Sequence, residues 1–190
     1  MNEAHRQFLA SPEWARMLET DLLPWITRIG DIGDDVLEVG PGPGLTTDVL
    51  RTLAALVTAV EIDEDMASAL AERLKGSNVT VINADATGVR LPSDRFSAAA
   101  SFSMLHHVPT PDKQDEVFAE VCRLLRPGGV FIASDSRDLD PIRAFHADDV
   151  FVSLDPLTLP DRLGRAGFAD VDVEVGGYEL RFHARKPASR

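Results

Sequence analysis

Three carboxylates close three successive apolar runs: Glu38 in VLEVGPGPG, Glu61 in LVTAVEID and Asp85 in NVTVINADA. The first run passes directly into Gly40, Gly42 and Gly44, a glycine at every second position. Glycine admits close approach and left-handed backbone angles, and Pro41 and Pro43 between the glycines stiffen the loop. Strand, loop and following helix make a nucleotide-binding turn. A dinucleotide requires G-x-G-x-x-G, because its pyrophosphate sits on the helix N-terminus. Here the last position of that pattern is Leu45, and the third glycine arrives one residue early. A carboxylate at Glu38 favours a positively charged ligand group and repels a phosphate. Both points argue against a nicotinamide-dependent oxidoreductase. Glu61 lies 21 residues beyond Gly40, where nucleotide-binding folds place an acid to accept both ribose hydroxyls.

Histidine titrates in the range a general base needs, and His106 and His107 follow the fourth apolar run in SMLHHVP. Further on, Asp135 closes VFIASD, and His146 stands near Asp148 and Asp149 in a segment of prolines and aspartates. Carboxylates with imidazole can hold a divalent ion that acidifies a hydroxyl, or hydrogen-bond a polyol. A solvated acidic loop is the plainer account, and no metal site is assigned.

Alternating strands and helices must position these groups. Apolar, β-branched runs ending in acids read as buried parallel strands, with a fourth over 95–101 and a fifth over 130–135. Helices fall between them, one opened near Thr46 or Thr47 and a long one over DKQDEVFAEVCRLLRPGG with Gly128 as its stop. FADVDVEVGGYELRFHARKP reads as a hairpin turning at Gly176-Gly177. Residues 1–29 carry apolar positions at helical spacing, with a helix start at Ser11-Pro12 and a bend at Pro24. A chain of 190 residues is one domain by length.

The net charge of −12 repels phosphate backbones, and the basic cluster is confined to Arg181, Arg185, Lys186 and Arg190. Nucleic acid is therefore a disfavoured partner. The single Cys122 forms no internal disulfide and reads as a small core residue. No signal peptide or membrane-length apolar run is apparent. A cytoplasmic protein without membrane or nucleic-acid partners is expected, and a homodimer is left open.

VLEVGPGPG, with its acid and strand, resembles the first motif of the class I S-adenosylmethionine-dependent methyltransferases. The resemblance extends over about residues 30–187. It implies an α/β, Rossmann-like seven-stranded sheet of order 3-2-1-4-5-7-6, helices on both faces and an antiparallel last strand. The implied cofactor is S-adenosyl-L-methionine, leaving as S-adenosyl-L-homocysteine, held by Glu38, Gly40, Gly42, Gly44, Glu61 and Ile62. Asp85 and Ala86 match the position that reads the adenine amine and a ring nitrogen. The loop from Ser101 to His107 would face the transferable methyl. Residues 1–29 would be a lid with Trp14 and Met17 as contacts, and 136–159 would shape the substrate pocket. Trp14, Asp135 and His146 are the substrate candidates, and His106 and His107 the catalytic ones. The family usually has aspartate where this chain has Ser97.

The first ninety residues also look like the ribosomal RNA adenine dimethyltransferases. Those need an N-L-P-[YF] loop whose aromatic ring stacks on a flipped base, and here the loop reads SFSMLHH. SMLHHVP and RLLRPGGVFIASD instead resemble the small-molecule group that includes ubiquinone- and menaquinone-biosynthesis enzymes. The expectation is methylation of a small metabolite, leaning to a hydroxyl of a sugar or polyol. An RNA adenine N-methyltransferase-like enzyme and a non-catalytic cofactor-binding relative are the alternatives.

Overall fold

The apolar runs lie side by side because the central ones are buried on both faces and every strand completes its hydrogen bonding only against another strand. The computed structural model describes residues 2–188, so Arg190 of the basic cluster lies outside them. Three N-terminal helices, α1 (Glu3–Leu9), α2 (Pro12–Met17) and α3 (Leu23–Ile29), precede the sheet. Then come β1 (Asp35–Val39), α4 (Leu45–Leu53), β2 (Leu56–Glu61), α5 (Glu64–Arg73), β3 (Val79–Asn83) and β4 (Phe96–Phe102). α6 (Pro111–Leu124), β5 (Leu125–Ser136), α7 (Asp140–Phe145), α8 (Leu159–Arg165), β6 (Ala169–Val175) and β7 (Glu179–Arg185) complete the chain. The seven strands order as β3-β2-β1-β4-β5-β7-β6, the order the resemblance implies. β1 to β5 are parallel, and β7 runs antiparallel between β5 and β6.

One face of the sheet packs Leu37, Val39, Phe131 and Phe182 against Val117, Phe118 and Val121 of α6 and Leu159 and Leu163 of α8. The other packs Val36, Ala98, Ala100 and Ile132 against Leu22, Trp25 and Ile26 of the N-terminal segment and Leu50 of α4. Trp25 Nε1 donates to Glu174 Oε1 at 3.0 Å, and the Arg181 guanidinium lies 5.4 Å from the Trp25 ring centroid. These contacts fasten α3 to the terminal hairpin. The outer strand β6 exposes Asp170, Asp172 and Glu174 along its length.

Ser11 caps α2 as expected, its Oγ accepting from Trp14 N at 3.1 Å with Pro12 next to it. The expected bend at Pro24 is taken up one turn earlier, by a π-helical turn over Leu18–Leu22. Proline has no N–H to offer the carbonyl four residues back, and the ladder widens there. The long helix stops at Leu124 and not at Gly128. Leu125 turns extended and pairs with Phe96, while Arg126 Nε donates to the Arg95 carbonyl at 2.6 Å. Gly128, at φ +81°, donates to the Lys186 carbonyl at 2.8 Å, so it serves the junction with β7.

Candidate active site

A cavity of about 390 Å³ opens at the carboxyl ends of β1 to β4, where open α/β sheets bind ligands. Its wall combines apolar Val39, Val60, Ile62, Ala84 and Ala86 with the carboxylates Glu61, Asp63 and Asp85. Lys113 and His107 are the basic side chains on it.

Gly40 and Gly42 line this cavity, and the glycine loop is closed by its own bonds. Gly40 N donates to the Val60 carbonyl at 2.9 Å, Gly42 N to Glu61 Oε2 at 3.0 Å and Gly44 N to the Pro41 carbonyl at 2.9 Å. All three of these amides are engaged within the protein, so none of them is free to cradle a phosphate. All three residues have positive φ, at +70°, +53° and +86°. A Cβ on Gly40 would fall 2.1 Å from Met104 Cγ, and one on Gly44 2.3 Å from Leu70 Cδ1.

Glu38 departs from its expected place. Side chains alternate along a strand, so Val39 reaches the cavity while Glu38 turns under α4. There its carboxylate accepts from the hydroxyls of Thr46 and Thr47, the latter at 2.6 Å, and it is absent from the cavity wall. Burial pushes its pKa up to about 7. Glu38 thus ties the helix start to the strand. Glu61 does reach the wall, and its other oxygen accepts from Asp63 N at 3.0 Å. Ile62 is 69 % exposed beside it. Asp85 Oδ1 accepts from the backbone N–H and hydroxyl of Thr87, both at 2.8 Å, which hold its carboxyl below the usual range.

Ser101, expected at the cofactor, is wholly buried, its Oγ has no partner among the described residues, and it does not line the cavity. Ser103 stands on the wall in its place, with a left-handed φ of +52° that re-aims the loop. Leu9, Asp63, Met66 and Met104 also line it. Composition gives no sign of the Ser103 turn, but Asp63 and Met66 follow directly from continuing past Ile62 into α5. Trp14 is away from the wall: its ring lies 5.6 Å from that of Phe8, tilted by 53°, and packs on the helical side of the core, and Met17 is 42 % exposed.

His106 and His107 belong to a group of four imidazoles. Asp135 accepts from His106 through Nδ1 and, at 3.1 Å, from its backbone N–H, and both residues are fully buried. His106 Nε2 lies 3.0 Å from His146 Nε2, and His107 Nε2 lies 3.1 Å from His5 Nδ1. His146 Nδ1 and His107 Nδ1 face the Ile142 and Val150 carbonyls at 2.8 and 3.2 Å. Burial lowers the pKa of His5 to about 3 and of His107 to about 4, and it lowers that of His146. Of the four, only His107 touches the cavity, and neither of its ring nitrogens faces the space; Asp135 and His146 lie behind it. The expected base is therefore an interlocked cluster. Asp149, 3.6 Å from His107 Nδ1, accepts from Asn2 N at 2.7 Å and so joins the N-terminus to the same group.

A wall with three carboxylates, an exposed isoleucine and no unengaged glycine amide suits an adenosine bearing a cation, and it does not suit a pyrophosphate. The comparisons agree with that fit. A family model described as "Methyltransferase domain" matches residues 37–133. A probable S-adenosylmethionine-dependent methyltransferase of Mycolicibacterium smegmatis is 26% identical over 162 residues, 76% of this chain and 61% of that protein. A ubiquinone biosynthesis O-methyltransferase of Pseudomonas fluorescens is 33% identical over 120 residues, 60% of this chain and 50% of that protein. Ribosomal RNA small subunit methyltransferases of Methanopyrus kandleri and Moorella thermoacetica match over 29% of their length. The chain thus spans less than two thirds of the length of these curated relatives. In fold, a SAM-dependent methyltransferase from Aquifex aeolicus superposes with a TM-score of 0.77 at 20% identity, covering 98% of this chain and 99% of that one. With the family match running over half its length and the sheet order that goes with it, the chain belongs to the class I S-adenosylmethionine-dependent methyltransferase domains.

Proposed function

We propose that the chain transfers a methyl group from S-adenosylmethionine to a hydroxyl of a small metabolite, with a sugar or polyol as the leading class. The observation that carries this reading is the carboxylate-rimmed cavity over a glycine loop whose amides are already engaged. S-adenosylmethionine supplies a methyl activated on a sulfonium. Glu61 accepts from the ribose hydroxyls, Ile62 covers one adenine face, and Asp85 with Ala86 reads the adenine edge. Because the donor is activated, what remains for the protein is alignment of the acceptor. As the O–C bond forms, the C–S bond breaks to the neutral thioether of S-adenosylhomocysteine, and the hydroxyl proton passes to solvent at the cavity mouth. Leu9, Ser103 and Met104 surround the space left for that acceptor. The O-methyltransferase named among the relatives and the scarcity of cations on the wall support a neutral hydroxyl compound.

One observation favours a second reading, a relative that binds the cofactor without turnover. His106 is wholly buried, and the His107 nitrogens face Val150 and His5. Calorimetry with S-adenosylhomocysteine on the wild type and on Glu61→Gln, followed by a labelled-methyl assay on a panel of polyols, phenols and bulk RNA, separates these possibilities. The expected outcome is cofactor binding weakened about tenfold or more in Glu61→Gln, since hydrogen bonds to an ionised acceptor are worth about 1.5–3 kcal/mol, with label entering a hydroxyl compound. Binding without turnover on any acceptor supports the second reading. Preferential binding of NADH overturns both, and label in RNA overturns the acceptor class.

A further inference from the structure

The four histidines pose a problem of protons. The Ile142 and Val150 carbonyls and the Asp135 carboxylate only accept, so Nδ1 of His146, His107 and His106 must each carry the ring hydrogen. In the neutral rings that leaves the Nε2 lone pairs of all three turned inward. His5 Nδ1 can donate to His107 Nε2 at 3.1 Å, but nothing donates between His106 Nε2 and His146 Nε2, 3.0 Å apart. Two lone pairs at hydrogen-bond distance repel unless a proton or a metal ion stands between them. One ring nitrogen from each of the four residues lies within 4.8 Å of the others. Tetrahedral zinc with bonds of about 2.0–2.1 Å needs its nitrogens about 3.4 Å apart.

The geometry points to a zinc-class divalent transition-metal site formed by His5, His106, His107 and His146. The outer groups fit as well as the ligands do. Metal-bound histidines characteristically give their second ring N–H to a carboxylate or a backbone carbonyl, and His106, His107 and His146 each do so here. Burial lowers the pKa of His5, His107 and His146, which keeps these rings competent as ligands. Imidazole donors favour zinc and its neighbours over magnesium or calcium, which take oxygen.

Four protein ligands leave no position open, so the ion is a structural clasp. It joins three stretches that the backbone leaves apart: α1 through His5, the turn after β4 through His106 and His107, and the end of α7 through His146. Leu9, on the same short helix as His5, lines the cavity, so the clasp would hold that wall in place. With the ion present His106 and His107 are ligands and not bases. The inference goes beyond the proposed reaction and does not rest on it.

The test uses the full chain without a histidine tag, stripped with a chelator and titrated with zinc against a chromophoric competitor. One equivalent per chain is expected. Cobalt in its place should give the strong visible absorption of a tetrahedral nitrogen site, and magnesium should not compete. Asp135→Asn, which loosens the His106 ring, should weaken zinc binding about 10–100-fold, and His146→Ala should weaken it further. His5→Ala, near the chain end, is the variant least able to disturb the sheet and must also lose affinity. Amide exchange over Glu3–Leu9 should slow when zinc is added to the wild type. No zinc bound by the stripped wild type, binding unchanged in either His5→Ala or His146→Ala, or a weak octahedral cobalt spectrum each overturns the site.

Discussion

Glu38 lies buried beside the start of α4. Its hydroxyl partners hold the carboxyl, yet burial dominates and its pKa rises from 4.5 to about 7. An acid raised on folding stabilises the native state when protonated, so its contribution is complete below about pH 4.5 and fades as pH climbs through 7. The shift corresponds to about 3 kcal/mol. Glu38→Gln keeps an oxygen for one threonine hydroxyl and offers N–H to the other. Urea denaturation across that pH window should show wild-type stability falling with rising pH and the Gln variant staying level. At Gly40 the angle of +70° and the 2.1 Å approach to Met104 act together. Gly40→Ala is expected to cost about 1–3 kcal/mol and to push Met104 into the cavity. Thermal melting then falls together with affinity for S-adenosylhomocysteine.

Among the elements, strands and their closing acids were legible because each obeys a local rule: β-branched apolar runs, then a carboxylate where the sheet ends. Glu61, Ile62, Asp85 and Ala86 reach the cavity wall from such positions. Glu38 did not follow, because its direction depends on strand parity and on threonines eight and nine residues later. The stop of α6 was misplaced for a similar reason. Gly128 looks like a helix terminator, but pairing of Leu125 with Phe96 decides the boundary first. His106, His107 and His146 stand out in the sequence as separate candidates, but their meeting with His5 does not. Residues 5, 106, 107 and 146 meet only after α1, the turn after β4 and α7 have docked, and no spacing in the chain encodes that meeting.

Over the whole molecule, the N-terminal helices do two jobs. α1 reaches the cavity through Leu9, while the stretch from Leu18 to Ile26 is part of the core against the sheet. Trp25, 2 % exposed and bonded to Glu174, anchors the second part to the terminal hairpin. Trp25→Ala should destabilise by about 3–5 kcal/mol, read as a lower denaturation midpoint. Inserting β7 between β5 and β6 leaves β6 as an outer strand with unpaired backbone groups, the kind of edge on which a second sheet can grow. Asp170 and Asp172 stand along it, with Glu174 paired to Arg28 at its far end. Two molecules meeting there would set one row of negative charge against another. In a chain of net charge −12 that rim works as a fence, letting the fold end in an open strand without inviting its neighbours to extend it.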